Sequence, residues 1–371
     1  MLSEALLNAY IDANILLGVG YLLWSFARFL IVRLGLRRAY ITHLKLLNGV
    51  MLAIVFCPIA IYFLTAWVAQ PTISFSDVVV AQYLEGNVDV TALQLDRILK
   101  VREAFERDLV ELGSPLSMGL AALFVIGFIG FGFKVLRNAL HLYRALNSCR
   151  PWRKIGRVQL LLSDSALVPY STRGIGKHYI VMPTAMLDHS HDVRLAIAHE
   201  LQHFRQRDVE WAIILEIMTP FFFWNPLFFM WKREVIQLRE FSCDQNLIAR
   251  NGVDVRAYCE CLLRASRRSL RGAQNFTIVA PAVPLVKTVP RSVGGLESRI
   301  MALTSDRSGW SSRRLFQVTF FPLALAIMAI AVLIQNPADW SHDRLMLSTI
   351  INLERLDMHN AETARANFGS R

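Results

Sequence analysis

The chain has 371 residues and a formal net charge of +11, from 40 Lys and Arg against 29 Asp and Glu. Apolar residue types make up 54% of it and charged types 19%, whereas soluble globular domains average about 45–50% and about 25%. This composition excludes a disordered chain, a collagen and a small disulfide scaffold. A single soluble domain is not expected either, because the apolar excess is concentrated in blocks.

Four apolar blocks are long enough to cross a membrane as helices, since a bilayer core needs about 20 such residues. They lie at residues 13–32, 46–68, 116–136 and 316–334. The link between the first two carries four basic residues and no acid, whereas the link between the second and third carries eight acids against four bases. The positive-inside rule therefore predicts that the first link and the long third link are cytoplasmic, with both termini outside.

Membrane topology and contact with anionic lipid account for most of the positive charge. No nucleic-acid-binding module is recognisable, so direct binding of nucleic acid is not expected. Four of the five cysteines fall in the predicted cytoplasmic part, where thiols stay reduced. Cys259 and Cys261 lack the second pair that a zinc finger needs and are interpreted as ordinary helix residues.

The third link contains a mixed α and β unit. Residues 158–162 and 178–182 are apolar and β-branched and are predicted strands, and 163–176 is a predicted loop between them. A helix is predicted from Ser190, capped by Ser190 or Asp192.

That helix carries His199-Glu200-Leu201-Gln202-His203, an H-E-x-x-H motif. Residues four apart share a helix face, so both imidazoles can bind one ion. Glu200 lies beside the first histidine, where it can take a proton from the attacking water. A catalytic zinc needs a third protein ligand as well.

The candidate third ligand is Glu240, on a predicted helix at 232–250. Asp244 lies one turn later and can bond a ligand histidine. The alternative is that both acids pair with Arg239 or Lys232 on a solvated face. Cys243 is assigned to packing or fine-tuning of the site.

Two histidines and an apolar stretch also lie near the motif. His189 and His191 precede the helix and are interpreted as surface residues. Residues 211–231 are almost wholly apolar, but one crossing of the membrane would separate Glu240 from His199 by about 30 Å. Pro220 and Pro226 also break a continuous helix, so a buried hairpin or a hairpin touching the membrane is predicted, and the second is favoured.

These motifs resemble the BlaR/MecR family of integral membrane zinc peptidases. The resemblance rests on HELQH, on Asn225-Pro226 after aromatic residues, on REFSCD, on the strand and proline at 180–183, and on the four-span order. It implies a gluzincin-like fold with Zn²⁺ held by His199, His203 and Glu240, and with Glu200 as general base. It also implies cleavage of a cytoplasmic protein, often a transcriptional repressor, after an outside signal, and self-cleavage in some members.

The predicted fold class is a mainly α membrane protein of the bacterial inner membrane, with four transmembrane helices and a cytoplasmic α+β gluzincin-like domain. Its predicted parts are spans one and two with the N-terminus at 1–68, an extracytoplasmic loop at 69–115, span three at 116–136, the peptidase domain at 137–315, span four at 316–334 and an extracytoplasmic tail at 335–371. Besides the lipid bilayer and the protein substrate, a second copy of the chain stays open as a partner.

The chain departs from the antibiotic sensors of this family after the last span. Only residues 336–371 follow it, too few for a penicillin-binding domain, so β-lactam binding is not expected. Residues 340–358 have the spacing of an amphipathic helix, which is predicted to pack on the acidic outer link, lie on the membrane or act as a passive cap.

Two other functions remain open. One is a membrane gluzincin resembling the HtpX or CAAX-processing proteases, in quality control or maturation. The other is a non-catalytic membrane receptor or scaffold with a structural metal site. An intact Glu200 argues against the scaffold, since a structural site needs no base.

Overall fold

The computed structural model describes residues 2–68, 80, 82–84, 91–174, 176–251, 253–271, 283–284, 293–304, 312–334, 346–353 and 356. Most of them are helical, and a small mixed sheet lies between the third and fourth long apolar helices. Parts of the predicted outer loop and tail, and most of 272–292, lie outside the described residues.

Four helices of the described chain are long and apolar enough to cross a membrane: Ala9–Arg33, Tyr40–Ile61, Pro115–Asn147 and Arg314–Ile334. They belong to α1 (Leu2–Arg33), α2 (Tyr40–Val68), α4 (Pro115–Asn147) and α10 (Ser312–Ile334). All four predicted spans are therefore helical. However, α2 begins six residues before the predicted span, and α4 continues eleven residues beyond it, through the predicted boundary at 136.

Contacts divide the chain into two compact units, the first of which comprises Met1–Trp24, Gly49–Leu123 and Phe320–Arg371. Within it, helices approach closely at glycines: a Cβ on Gly20 would lie 2.6 Å from the Ile54 side chain, and one on Gly49 would lie 2.6 Å from the Phe320 ring. Glycine at these two positions lets α1 pack on α2 and α2 pack on α10.

The predicted outer link contains α3 (Ala92–Glu111), which begins at a capping box formed by Thr91 and Gln94. The two residues exchange side-chain and backbone hydrogen bonds of 3.3 Å, which satisfies amide groups that a helix start leaves unpaired. A helical stretch at 346–353 packs on this link through Leu347 and Ile351, against Ala92 and Leu95. Of the three predicted roles of the tail, the structure therefore agrees with packing on the predicted outer link.

The second unit comprises Ser25–Asn48 and Phe124–Thr319. Its sheet has the order β1-β2-β4-β3-β5. The strands are β1 (Arg150–Ile155), β2 (Val158–Ser163), β3 (Tyr170–Arg173), β4 (His178–Pro183) and β5 (Val283–Pro284). Strands β2 and β4 are parallel, and the other neighbours are antiparallel.

Strands β2 and β4 confirm the two predicted strands: Leu160, Ile180 and Met182 face one core cluster, and Leu161 and Val181 face another. Strand β1 was not predicted, because its basic sequence RPWRKI has no apolar alternation. The predicted loop at 163–176 is wrong in part, since β3 lies within it. Ser171 and Thr172 are buried in this strand, but because their side chains are polar the sequence shows no apolar pattern there.

After the strand β4, the described part of this unit contains the helices α5 (Ser190–Gln206), α6 (Asp208–Met218), α7 (Pro226–Asn251), α8 (Val255–Arg271) and α9 (Val293–Leu303). The predicted cap of α5 is wrong: His189 occupies the cap position with no side-chain hydrogen bond there. Asp192 instead accepts two hydrogen bonds from Arg264, of 2.8 and 2.7 Å, which tie α5 to α8. The apolar stretch 211–231 forms two helices separated by a turn, with Pro226 at the first position of α7, where its missing N–H costs nothing.

Candidate metal centre

Helix α5 brings His199, Glu200 and His203 together, and none of the three side chains has measurable solvent exposure. The Nε2 atoms of the two histidines lie 3.1 Å apart. Two nitrogens bound to one tetrahedral zinc at the usual distance lie about 3.3 Å apart. The helix spacing therefore gives the separation that a shared metal ion requires.

The other nitrogen of His203 is held by Asp208. Its Nδ1 lies 2.8 Å from Asp208 Oδ2, and Asp208 begins α6 immediately after Arg207, whose φ of +60° turns the chain back toward α5. Cys243 Sγ lies 3.0 Å from the same Nδ1 and donates to Asp208 Oδ2 at 3.2 Å. Asp208 was not predicted from the sequence; the available signal was an acid five residues after the second histidine.

The other nitrogen of His199 is held through Tyr258. The Tyr258 hydroxyl lies 2.8 Å from His199 Nδ1 and donates to Asp244 Oδ1 at 2.7 Å. Asp244 itself lies 3.4 Å from Nδ1. The predicted contact of Asp244 with a histidine therefore runs mainly through a tyrosine, which sits on α8 and carried no signal in the sequence.

These contacts fix the protons of both rings. Asp208 is an acceptor, and the Tyr258 hydroxyl already donates to Asp244, so both Nδ1 atoms carry hydrogen and the two Nε2 atoms face each other. Without a metal, a proton held by His203 bridges the 3.1 Å between the two Nε2 atoms, and a metal ion can take the place of that proton. The donor set thus fits a metal ion.

Glu240, on α7, faces the same point. Its carboxylate oxygens lie 3.8 Å from His199 Nε2 and 4.0 Å from His203 Nε2. Arg299 Nη1 lies 3.0 Å from Glu240 Oε2. The same guanidinium donates two hydrogen bonds of 2.7 Å to Asp244. Arg299 lies on α9, about a hundred residues after α5, and was not predicted from the sequence.

Glu200 differs from the other acids of the site. Both of its carboxylate oxygens are buried, and neither has a hydrogen bond of normal geometry among the described residues, although Ser171, His203 and Arg299 are near enough to favour the charged form. Burial, with a smaller contribution from the charge of Glu240, raises the pKa of Glu200 to about 7. A buried carboxyl with a pKa near neutrality can both accept and return a proton, as a general base requires.

The pKa values of the two histidines are shifted in opposite directions. Burial, together with the nearby cations His203 and Arg299, holds the pKa of His199 well below its ordinary value. Burial also disfavours the charged form of His203, but its hydrogen bond to Asp208 and the charge of Glu240 outweigh that effect and raise its pKa. Metal binding to His203 therefore has to displace a proton.

Several polar side chains near the site have contacts of their own. His178 packs edge-on against Phe204 and lies 3.7 Å from Glu210. Arg239 is buried 3.9 Å from Asp208. His203, Asp208 and Cys243 also form a metal-ligand geometry, but burial and neighbouring carboxylates hold the pKa of Cys243 well above its ordinary value. Without a metal its thiol therefore stays protonated and contacts His203 Nδ1.

Residues 114–292 match the model of the family described as BlaR1 peptidase M56. The matched region contains α4, the sheet and helices α5 to α8, so it includes every predicted site residue. No curated protein matches the sequence. Family match, candidate membrane spans and histidine geometry suggest a membrane metallopeptidase, and the match supports the BlaR/MecR-type family that the motifs predicted.

Proposed function

We propose that the protein is a zinc metalloendopeptidase of the bacterial inner membrane that cleaves a cytoplasmic protein during signal transduction. His199, His203 and Glu240 are the proposed zinc ligands, Glu200 is the general base, and Asp244 supports His199 through Tyr258. The observation that carries the proposal is the pair of Nε2 atoms 3.1 Å apart, beside a buried glutamate that makes no hydrogen bond of normal geometry with the described residues.

The zinc ion, when bound, supplies a Lewis acid for the scissile carbonyl. Glu200 takes the proton of the attacking water and passes it to the leaving amine. Asp208 and Tyr258 keep each Nδ1 protonated, so each Nε2 stays available as a ligand. Arg299 neutralises Glu240 and Asp244, which lowers the cost of burying two carboxylates together.

The sheet supports a mode of substrate binding. β3 has β4 on one side, and on its other side it pairs antiparallel with Val283 and Pro284 of the chain itself. That side of β3 is therefore able to hold an extended segment by backbone hydrogen bonds, as in other cases of strand addition. A protein substrate would bind there as an extended strand by displacing the two-residue strand β5, next to the helix that carries His199.

The proposed orientation follows from the loop charges. The basic first link and the peptidase unit face the cytoplasm, and the acidic link and tail face outside. A cytoplasmic target fits this arrangement, and the family resemblance makes a transcriptional repressor or the chain itself the first substrates to examine.

The test compares wild type with Glu200→Gln in cells, by a proteome-wide search for new protein N-termini. New cytoplasmic N-termini in the wild type only, with equal zinc per purified chain in both, are expected. Glu297→Gln, which changes an exposed glutamate of α9, is the matched control. Identical N-termini in wild type and Glu200→Gln, with zinc bound to both, would favour a non-catalytic scaffold. A target on the outer face would contradict the proposed orientation.

A further inference from the structure

The hairpin formed by α6, the turn at 219–225 and the start of α7 presents apolar side chains outward. Five of them are between 39% and 56% exposed: Ile214, Ile217, Phe221, Trp224 and Met230. A water-soluble domain rarely leaves so continuous an apolar surface uncovered. The surface therefore requires an apolar partner.

The turn packs directly on α4, one of the candidate membrane spans. The ring of Phe223 lies 5.8 Å from that of Phe124 and 5.5 Å from that of Phe131, and Phe221 meets Phe128 edge-on at 5.2 Å. Only a glycine fits between them, because a Cβ on Gly127 would lie 2.2 Å from the Phe223 ring. The turn is thus fixed beside the apolar part of α4.

The position along α4 gives the depth of the turn. Phe128 lies eight residues before Leu136, the predicted cytoplasmic end of the span, and a helix rises about 1.5 Å per residue. The contact therefore lies about 12 Å below that end, in a hydrocarbon core about 30 Å thick. Because the turn packs on α4 at this depth, it lies nearly at the middle of the hydrocarbon core that α4 crosses.

Several polar groups of the hairpin, in its side chains and in the backbone of the turn, are paired within the protein. Glu216 pairs with Lys232 at 2.8 Å, and Lys232 also donates to the Thr219 hydroxyl at 3.1 Å. Thr219 donates to the Leu215 carbonyl at 2.8 Å, and the Asn225 side chain accepts from the Leu227 amide at 3.0 Å. Non-helical backbone is tolerated at membrane depth when its polar groups are paired in this way.

We propose that residues 214–230 form a re-entrant hairpin, which enters the hydrocarbon core from the side of the metal centre and returns to it. Its partner is the acyl-chain region of the lipid bilayer. The inference rests on the packing against α4 and is independent of the proposed peptidase activity.

The hairpin also sets the height of the metal centre. Helix α6 has eleven residues and is therefore about 16 Å long. Its first residue, Asp208, contacts His203, and its last residue adjoins the turn. With the turn about 12 Å deep, the metal centre lies at the membrane surface. Chain segments that emerge from the bilayer or lie on it would reach the centre first.

The test uses Trp224, whose emission is isolated as the difference between the wild-type protein and Trp224→Phe, both full-length and in liposomes. Trp152→Phe, in strand β1, is the matched control. Lipids brominated near the middle of the acyl chain should quench the Trp224 difference emission strongly, and its maximum should be blue-shifted. The Trp152 difference emission should be unaffected by the same lipids.

Two outcomes would overturn the inference. Red-shifted, unquenched emission from Trp224 would place the hairpin in water. Blue-shifted emission that bromolipids do not quench would mean that protein, such as a second copy of the chain, covers the hairpin. Because no catalytic residue is changed, neither outcome bears on the peptidase proposal.

Discussion

Replacing Glu200 by glutamine should stabilise the metal-free protein at alkaline pH. The wild-type carboxyl is fully buried, and neither of its oxygens has a hydrogen bond of normal geometry in the described part of the chain. Glutamine has nearly the same shape and carries no charge, so it removes the cost of burying a carboxylate. The site would then be more stable and unable to act as a base.

The size and sign of the effect follow from the pKa. Burial raises the pKa of Glu200 from 4.5 to about 7, and one pKa unit corresponds to about 1.4 kcal/mol. The folded state therefore loses about 3 kcal/mol as pH rises from the unfolded value through the folded one. The loss is absent below about pH 4.5 and complete above about pH 7. Glutamine removes it, apart from the smaller cost of burying an amide.

Thermal unfolding of the full-length protein in detergent, with a chelator present, measures this directly. At about pH 8 the unfolding temperature of Glu200→Gln should exceed that of wild type by about 5–10 °C, and near pH 4.5 the difference should vanish. Glu297→Gln, at an exposed position, should match wild type at both pH values. With saturating zinc the advantage should shrink, because the ion compensates the carboxylate.

A difference that is constant with pH would show that Glu200 does not titrate in the folded protein near neutrality. A Glu200→Gln variant less stable than wild type at alkaline pH would refute the claim that the carboxylate is uncompensated. Either result would remove the physical basis for its role as a tuned base.

The remaining predictions concern the groups around the metal. Arg299→Ala should weaken zinc binding about 10–100-fold, the usual cost of losing an outer-shell partner, as measured by competition with a chelator. The control Arg264→Ala breaks a similar forked ion pair, to Asp192, and should leave zinc affinity unchanged. Equal losses of zinc affinity in the two variants would mean that Arg299 stabilises the fold and not the metal centre in particular. Asp208→Asn should lower zinc affinity about 10–100-fold, and unchanged affinity would contradict its role in holding His203. Leu347→Asp should expose the tail to limited proteolysis while zinc affinity stays at the wild-type value, since the tail packs on the predicted outer link. A tail that stays protected would contradict that packing.

Much of the site could be predicted because its chemistry is encoded locally. The H-E-x-x-H spacing places two histidines and a glutamate on one helix face, and a second acidic motif on another apolar-periodic helix supplied Glu240 and Asp244. The break between α6 and α7 was predictable from Pro220 and Pro226. These features depend on residues within a few turns of one another.

The supporting groups were not predictable for the opposite reason. Asp208, Tyr258 and Arg299 meet the site through tertiary packing of three different helices, and none stands in a motif. In the sequence Arg299 resembles any basic residue of an amphipathic helix, and it is the packing of α9 that buries it. Strand β3 was missed because a serine and a threonine are buried where an apolar side chain would have signalled a strand.

The position of Arg299 has a consequence for biosynthesis. The polypeptide is made from the N-terminus onward, and early segments fold before later ones emerge. Helix α5 with its histidines is therefore complete about a hundred residues before the arginine that neutralises Glu240 and Asp244. The fourth span follows that arginine almost at once. Full metal affinity should consequently be reached only after α9 has been synthesised. A chain truncated before α9 should bind zinc weakly even though it contains every proposed ligand.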